Sequence, residues 1–150
     1  MPTKHEFPPF LNGVVTPAKY ELWLGRKATA HVRRDRKRRY SKAKRSLYKE
    51  AIHAAVRKSK WHDTYTGEKL DWKLISTYNN KDAKAGSHAY KAKFALLPTV
   101  DHVDAGATEA SFVICGWRTN DAKHDLSLPE FLNLCEKALL HAGHTVTRHG

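Results

Sequence analysis

Val100-Asp101-His102-Val103 and, a few residues on, Ser111-Phe112-Val113-Ile114-Cys115-Gly116-Trp117-Arg118-Thr119-Asn120-Asp121-Ala122-Lys123-His124-Asp125 decide how this chain is read. Residues 96–103 are apolar enough for a strand, with Pro98 restricting it to an edge or limiting its pairing to 99–103. Residues 112–115 form a second short apolar run, and the turn-prone Asp104-Ala105-Gly106-Ala107 lies between the two. This spacing predicts a hairpin. After Gly116, residues 118–125 have helical composition. Side chains three or four apart share a helix face, so Asn120, Lys123 and His124 are expected to point together toward what the hairpin presents, which is Asp101 and His102. Neighbours in an extended strand point to opposite sides, so this pair must sit where the strand ends or bends.

These residue types suit phosphodiester hydrolysis, which needs a deprotonated water in line with the leaving oxygen and a counter-charge for the developing negative charge. Histidine titrates near neutrality, so a neutral His102 can take the proton of the water. Asp101 and the amide oxygen of Asn120 are hard ligands that suit Mg²⁺ or Mn²⁺ and leave positions for phosphate and water. Lys123 can anchor phosphate. His124 has two readings: a third ligand, favouring a softer metal such as Zn²⁺, Ni²⁺ or Co²⁺, or a solvent-facing side chain.

The ordered set Asp101-His102 and Asn120-x-x-Lys123 resembles the ββα-metal finger of the HNH endonucleases, closest in pattern to the HNH domains of RNA-guided CRISPR nucleases. The resemblance covers residues 61–140. It implies Asp101 and Asn120 as ligands of one divalent metal ion, His102 as general base and Lys123 as a catalytic phosphate contact, acting on DNA to leave 5′-phosphate and 3′-hydroxyl ends. The family usually carries Asn at the position of Ser111, where its side chain braces the loop that holds the base; the shorter Ser must do this differently or leave it to another residue. Tyr65-Thr66-Gly67-Glu68 resembles the turn before the core in many HNH proteins, where Cys-x-x-Cys pairs often hold a structural zinc. This chain has only Cys115 and Cys135, neither in such a pair, so no structural zinc is expected. Trp61, Tyr65, Leu70 and Trp72 are available to hold the turn by packing.

Charge is a separate line of argument. Residues 26–60 hold 15 basic and 2 acidic side chains, against 12 basic and 13 acidic elsewhere, so the whole net charge of +12 arises in one segment. Arg33, Arg34, Arg36, Lys37, Arg38 and Arg39, continued by Lys42, Lys44 and Arg45, are dense enough to neutralise several phosphates of double-stranded DNA. From Ser41 onward, Leu47, Tyr48, Ala51, Ile52, Ala55 and Val56 form an amphipathic helical stripe. Upstream, Thr16-Pro17 reads as a helix start, Tyr20, Trp23 and Leu24 share one face of a short helix that Gly25 is expected to end, and 28–39 is expected to be the exposed front of a longer helix. Downstream, Ser127-Leu128-Pro129-Glu130 is a capping-box pattern, and Leu128, Phe131, Leu132, Cys135 and Leu139 make a stripe ending near Gly143, expected to cover the finger. His141, His144 and His149 read as part of a polar tail.

With 150 residues and 41% hydrophobic side chains, the chain can support one core. The expectation is a single α+β domain, with a helical basic region at 1–60, an HNH-like core at 61–140 and a tail at 141–150. No transmembrane-length run or signal-peptide pattern occurs, so no membrane partner and a cytoplasmic location are expected. The two cysteines read as reduced core residues. One finger cuts one strand, so double-strand breaks require a homodimer or two encounters. Two other classes compete: a non-catalytic RNA- or DNA-binding protein that uses the basic helix, and an adaptor whose basic face meets an acidic protein.

Overall fold

Thr16-Pro17 opens the longest helix. In the computed structural model, which describes residues 5–38, 42–77, 86, 89–103 and 111–149, the Thr16 hydroxyl accepts the Lys19 amide at 3.2 Å and Pro17 occupies the first turn. Helix α1 then runs unbroken through Pro17–Lys37, so Gly25 does not end it. At Gly25 the tip of the Arg45 side chain lies over the α1 backbone: a Cβ there would meet Nη2 at 2.5 Å, a contact that a shift of this flexible side chain relieves. Beyond it, Ala28, His31, Val32 and Asp35 are buried at i, i+3, i+4 and i+7. The segment expected to be an exposed front is therefore docked along one face. Two of its four inward residues are polar, which hid the stripe from a hydropathy pattern.

Helix α2 (Arg45–Ser59) buries Tyr48, Ile52, Ala55 and Val56 as expected, but Leu47 is 52% exposed and lies off the stripe. It packs on α1 and on the hairpin. The hairpin pairs β1 (Pro98–His102) with β2 (Phe112–Gly116) antiparallel, Pro98 opposite Gly116 and His102 opposite Phe112. In a two-stranded ribbon each strand has an open edge, so Pro98 is tolerated. Helix α3 (Trp117–Lys123) follows β2 directly. A continuous core that includes Leu24, Tyr48, Ile52, Trp72, Val100 and Ile114 joins the N-terminal helices, the turn region and the hairpin. The architecture is α+β.

Helix α4 (Leu128–His141) has the capping box in full: Ser127 Oγ accepts the Glu130 amide and Glu130 accepts the Ser127 amide. Gly143, at φ 95°, ends it while the His144 amide bonds back to the Leu139 carbonyl. The expectation that it covers the finger is not met. No residue of α4 is buried, and Leu132, Leu134 and Leu140 are each more than half exposed. A capping box and an amphipathic stripe specify the helix locally; neither specifies the surface against which it packs. Cys135 is accordingly only half-buried and is no core residue, whereas Cys115 is fully buried in β2; both are free thiols. Among the described residues, no helix is long and apolar enough to cross a membrane.

Candidate active site

Strand alternation places Asp101 and His102 on different sides of β1, and the pair occupies its last two positions. On one side, Asp101 Oδ2 accepts the Tyr65 hydroxyl at 2.6 Å and lies 2.9 Å from Lys123 Nζ. On the other, the His102 ring packs against Phe112, with centroids 5.0 Å apart, and its Nδ1 lies 3.8 Å from Asp35 Oδ1. Asp101, His102 and Lys123 are all more than nine-tenths buried. Both strand residues line one cleft of about 700 Å³, with Asn120, Lys123 and His124 from α3, His31, Arg34, Asp35 and Arg38 from α1, and the start of α4. The four residues of the HNH-like pattern thus meet at one concavity.

Sequence reading missed the residue that assembles this site. Asp63 is 2% exposed and accepts four hydrogen bonds. Its Oδ1 takes the Tyr65 and Thr66 amides at 2.7 and 3.0 Å, and its Oδ2 takes the Gly116 amide at 2.7 Å and the Thr119 hydroxyl at 2.8 Å. One carboxylate therefore ties the 63–67 turn, which aims Tyr65 at Asp101, to the junction of β2 and α3, which aims Asn120 and Lys123. The available signal was an Asp two residues before Tyr65, a side chain suited to capping its own turn. Gly67, at φ 75°, lets that turn close. Packing of Trp72 and Leu70 supports it as anticipated.

Asp63→Ala is expected to lower stability by about 3 kcal/mol or more, since it leaves buried donors without their charged acceptor. Denaturant unfolding checks this; a loss below about 1 kcal/mol contradicts the brace.

Ser111 is exposed, and its carbonyl accepts the Val103 amide at 2.9 Å, closing the hairpin through the main chain. The intervening 104–110 lie outside the described residues. His124 caps α3 at φ 51° with a side chain 81% exposed, 3.3 Å from Asp125 Oδ1, so it sits at the mouth of the cleft. Leaving the helix at that residue takes it off the face shared by Asn120 and Lys123.

Helix α1 holds β1 through two further groups, the half-buried Lys27 and the buried His31. Lys27 donates to Thr99 Oγ1 at 3.0 Å, and burial, reinforced by Arg34, lowers its pKa to about 8. Burial, with Arg34 and Lys27, lowers the His31 pKa to about 4, so at neutral pH the ring is uncharged and its Nε2–H donates to the Val100 carbonyl at 3.2 Å. The unfolded chain therefore binds a proton at His31 that the folded chain refuses between pH 6.5 and about 4. The stability associated with neutral His31 is present above pH 6.5 and falls as pH drops through that window, by about 3 kcal/mol at most. His31→Gln is expected to flatten the acid limb of a Tm-against-pH profile; an unchanged limb contradicts the assignment.

The basic segment divides in two. Arg34 and Arg38, one helical turn apart, line the cleft, whereas Arg33, Arg36 and Lys37 line a separate groove with Arg45. Arg36 donates to the Ala43 carbonyl at 3.0 Å and Arg45 donates to the Thr29 hydroxyl at 3.1 Å, so both also join α1 to α2. Lys42 and Lys44 are exposed, and Arg39 lies outside the described residues.

Asp101 and Asn120 offer only hard oxygen donors in the cleft, and few protein ligands are what Mg²⁺ commonly uses. In kind they fit such an ion, and both contacts of the Asp101 carboxylate fall on the same oxygen, Oδ2. Among the described residues no cluster of three His, Cys, Asp or Glu side chains could hold a metal. No protein-family model, no curated protein and no solved structure matches this chain.

Proposed function

We propose that this protein is a metal-dependent DNA endonuclease of the HNH type. The observation that carries the reading is the meeting of Asp101, His102, Asn120 and Lys123 in one cleft, at the end of a hairpin followed directly by a helix, with Arg34 and Arg38 also lining that cleft. In this mechanism His102 takes the proton from a water as the hydroxide oxygen forms its bond to phosphorus. The bond to the 3′ oxygen breaks, and that oxygen is protonated from solvent. A Mg²⁺ or Mn²⁺ ion on Asp101 and Asn120 supplies the counter-charge for the leaving oxygen when bound. Lys123 neutralises Asp101 and contacts phosphate; Arg34 and Arg38 hold the backbone at the cleft. The exclusion of solvent from Asp101, His102 and Lys123 strengthens each of these electrostatic contacts.

A second reading draws on the same ion pair. Asp101 already holds Lys123 and Tyr65, an arrangement suited to a structural pair in a non-catalytic nucleic-acid-binding protein. Incubation of supercoiled plasmid with Mg²⁺, with Mn²⁺ and with chelator separates the two. Nicking with either metal but not with chelator is expected. DNA retention without nicking overturns the nuclease reading in favour of the second.

The division of the basic segment gives a finer expectation. Neutralising Arg33 and Lys37 should weaken binding alike on unrelated sequences, flatten log K against log salt by about 0.9 per lost contact, and leave cleavage at saturating DNA near wild type. Neutralising Arg34 and Arg38 should also lower cleavage at saturation, by about tenfold or more. Equal effects of the two pairs on saturated cleavage would contradict their separate placement.

A further inference from the structure

Among the described residues of the arginine run, Asp35 is the one side chain turned fully inward: it is 4% exposed, while Arg33, Arg34, Arg36, Lys37 and Arg38 are exposed. Burying a carboxylate is costly unless it is paired and hydrogen-bonded, so a solvated acid among arginines would be the cheaper arrangement. Two elements supply the pairing. The Tyr48 hydroxyl from α2 donates to Asp35 Oδ2, and His102 from β1 presents Nδ1 3.8 Å from Oδ1. Tyr48 is itself 2% exposed and packs its ring on Phe112, the cross-strand partner of His102. A side chain 67 positions from His102 in sequence is thus fixed from behind and aimed at the imidazole.

We infer that Asp35, held by Tyr48, is a positioning residue for His102: it keeps the proton on Nδ1, so that the Nε2 lone pair is available to the water. The inference rests on the nuclease reading above and deepens it. A neutral imidazole carries one proton, and which nitrogen holds it is set by the acceptor facing the other. Asp35 Oδ1 is an acceptor on the Nδ1 side. At 3.8 Å the contact is longer than a formed hydrogen bond, as such contacts often are before substrate binds, and a movement of less than about 1 Å closes it. When Nε2 takes the water proton, the ring becomes a cation beside the Asp35 carboxylate, which stabilises that charge and leaves Lys123 and Asp101 to the phosphate side. The carboxylate receives no proton in this scheme.

The test reads the tautomer of His102 by ¹⁵N spectroscopy of the imidazole nitrogens in the full chain without DNA, with His102→Gln assigning the signal. It also reads steady-state nicking kinetics and DNA retention. Wild type is expected to be the Nδ1–H form at neutral pH. Asp35→Asn should redistribute the tautomers and lower kcat by about 10- to 100-fold with KM and DNA retention nearly unchanged; Tyr48→Phe should shift both in the same direction and less. If Asp35→Asn fails to fold, Tyr48→Phe and the wild-type spectrum still decide the matter. An Nε2–H form in wild type, or tautomers and kcat both unmoved in the variants, overturns the positioning role. The expected tautomer together with absent nicking in wild type would instead overturn the nuclease reading and leave the Asp35 contact standing.

Discussion

His102→Ala is expected to lower single-turnover nicking by about 10³-fold, within the range that a positioned general base contributes. DNA retention should persist, because Arg33, Arg36, Lys37 and Arg45 lie exposed on α1 and the start of α2, outside the cleft that His102 lines. The fold should persist as well. His102 is the last residue of β1, and Phe112, Ile114 and Val100 supply the apolar packing around it. Truncation removes an imbedded ring and so costs on the order of 1–3 kcal/mol, which circular dichroism and denaturant unfolding would register separately from activity. A folded variant that nicks within about tenfold of wild type would assign the base elsewhere. His31, the next imidazole on the cleft wall, is poorly suited to replace it: its Nε2–H is committed to the Val100 carbonyl, and its low pKa makes it a weak base.

The hairpin and the following helix were legible because their signals are local: two apolar runs, a turn-prone connection and a polar helix of the right spacing. The cross-strand register, with Asp101 opposite Val113 and His102 opposite Phe112, was supplied by the structure. The capping box before α4 was legible for the same reason. What sequence reading missed depends on tertiary partners. Asp35 looks like one solvated acid in an arginine run until α1 is docked and its partners, Tyr48 and His102, arrive from two other elements. Asp63 serves residues 2, 3, 53 and 56 positions away, and only the nearest two could be suspected from a turn pattern. Gly25 was misread because a glycine that ends a helix and a glycine that admits a neighbouring side chain are the same letter; the Arg45 contact distinguishes them. The α4 stripe failed in the opposite sense, since amphipathicity records an apolar face without recording what covers it.

The Asp101–Lys123 pair connects this architecture to metal binding. A lysine ammonium 2.9 Å from a buried carboxylate stabilises the cleft when no divalent ion is present, and a cation arriving at Asp101 must share that carboxylate with it. Tyr65 also donates to Oδ2, so a rotation of the carboxylate would have to break that hydrogen bond as well. Oxygen donors beyond Asp101 therefore decide whether an ion is held.

Asn120→Ala should for that reason be the more damaging of two substitutions near the end of α3. Asn120 is half-buried on the cleft wall, on the same helix face as Lys123, and removing its amide leaves Asp101 as the sole first ligand of the proposed ion. The metal requirement for nicking should rise by about 10- to 100-fold or more, with saturated cleavage also reduced. His124→Ala should change the requirement by less than about threefold, because its ring is largely solvated beside Asp125 and its backbone has already left the helix. Titrating Mg²⁺ and Mn²⁺ against nicking for both variants checks the order. The reverse order would make His124 the ligand. An imidazole in the coordination shell would then favour Ni²⁺, Co²⁺ or Zn²⁺ over Mg²⁺, and activity in the wild type should follow that preference.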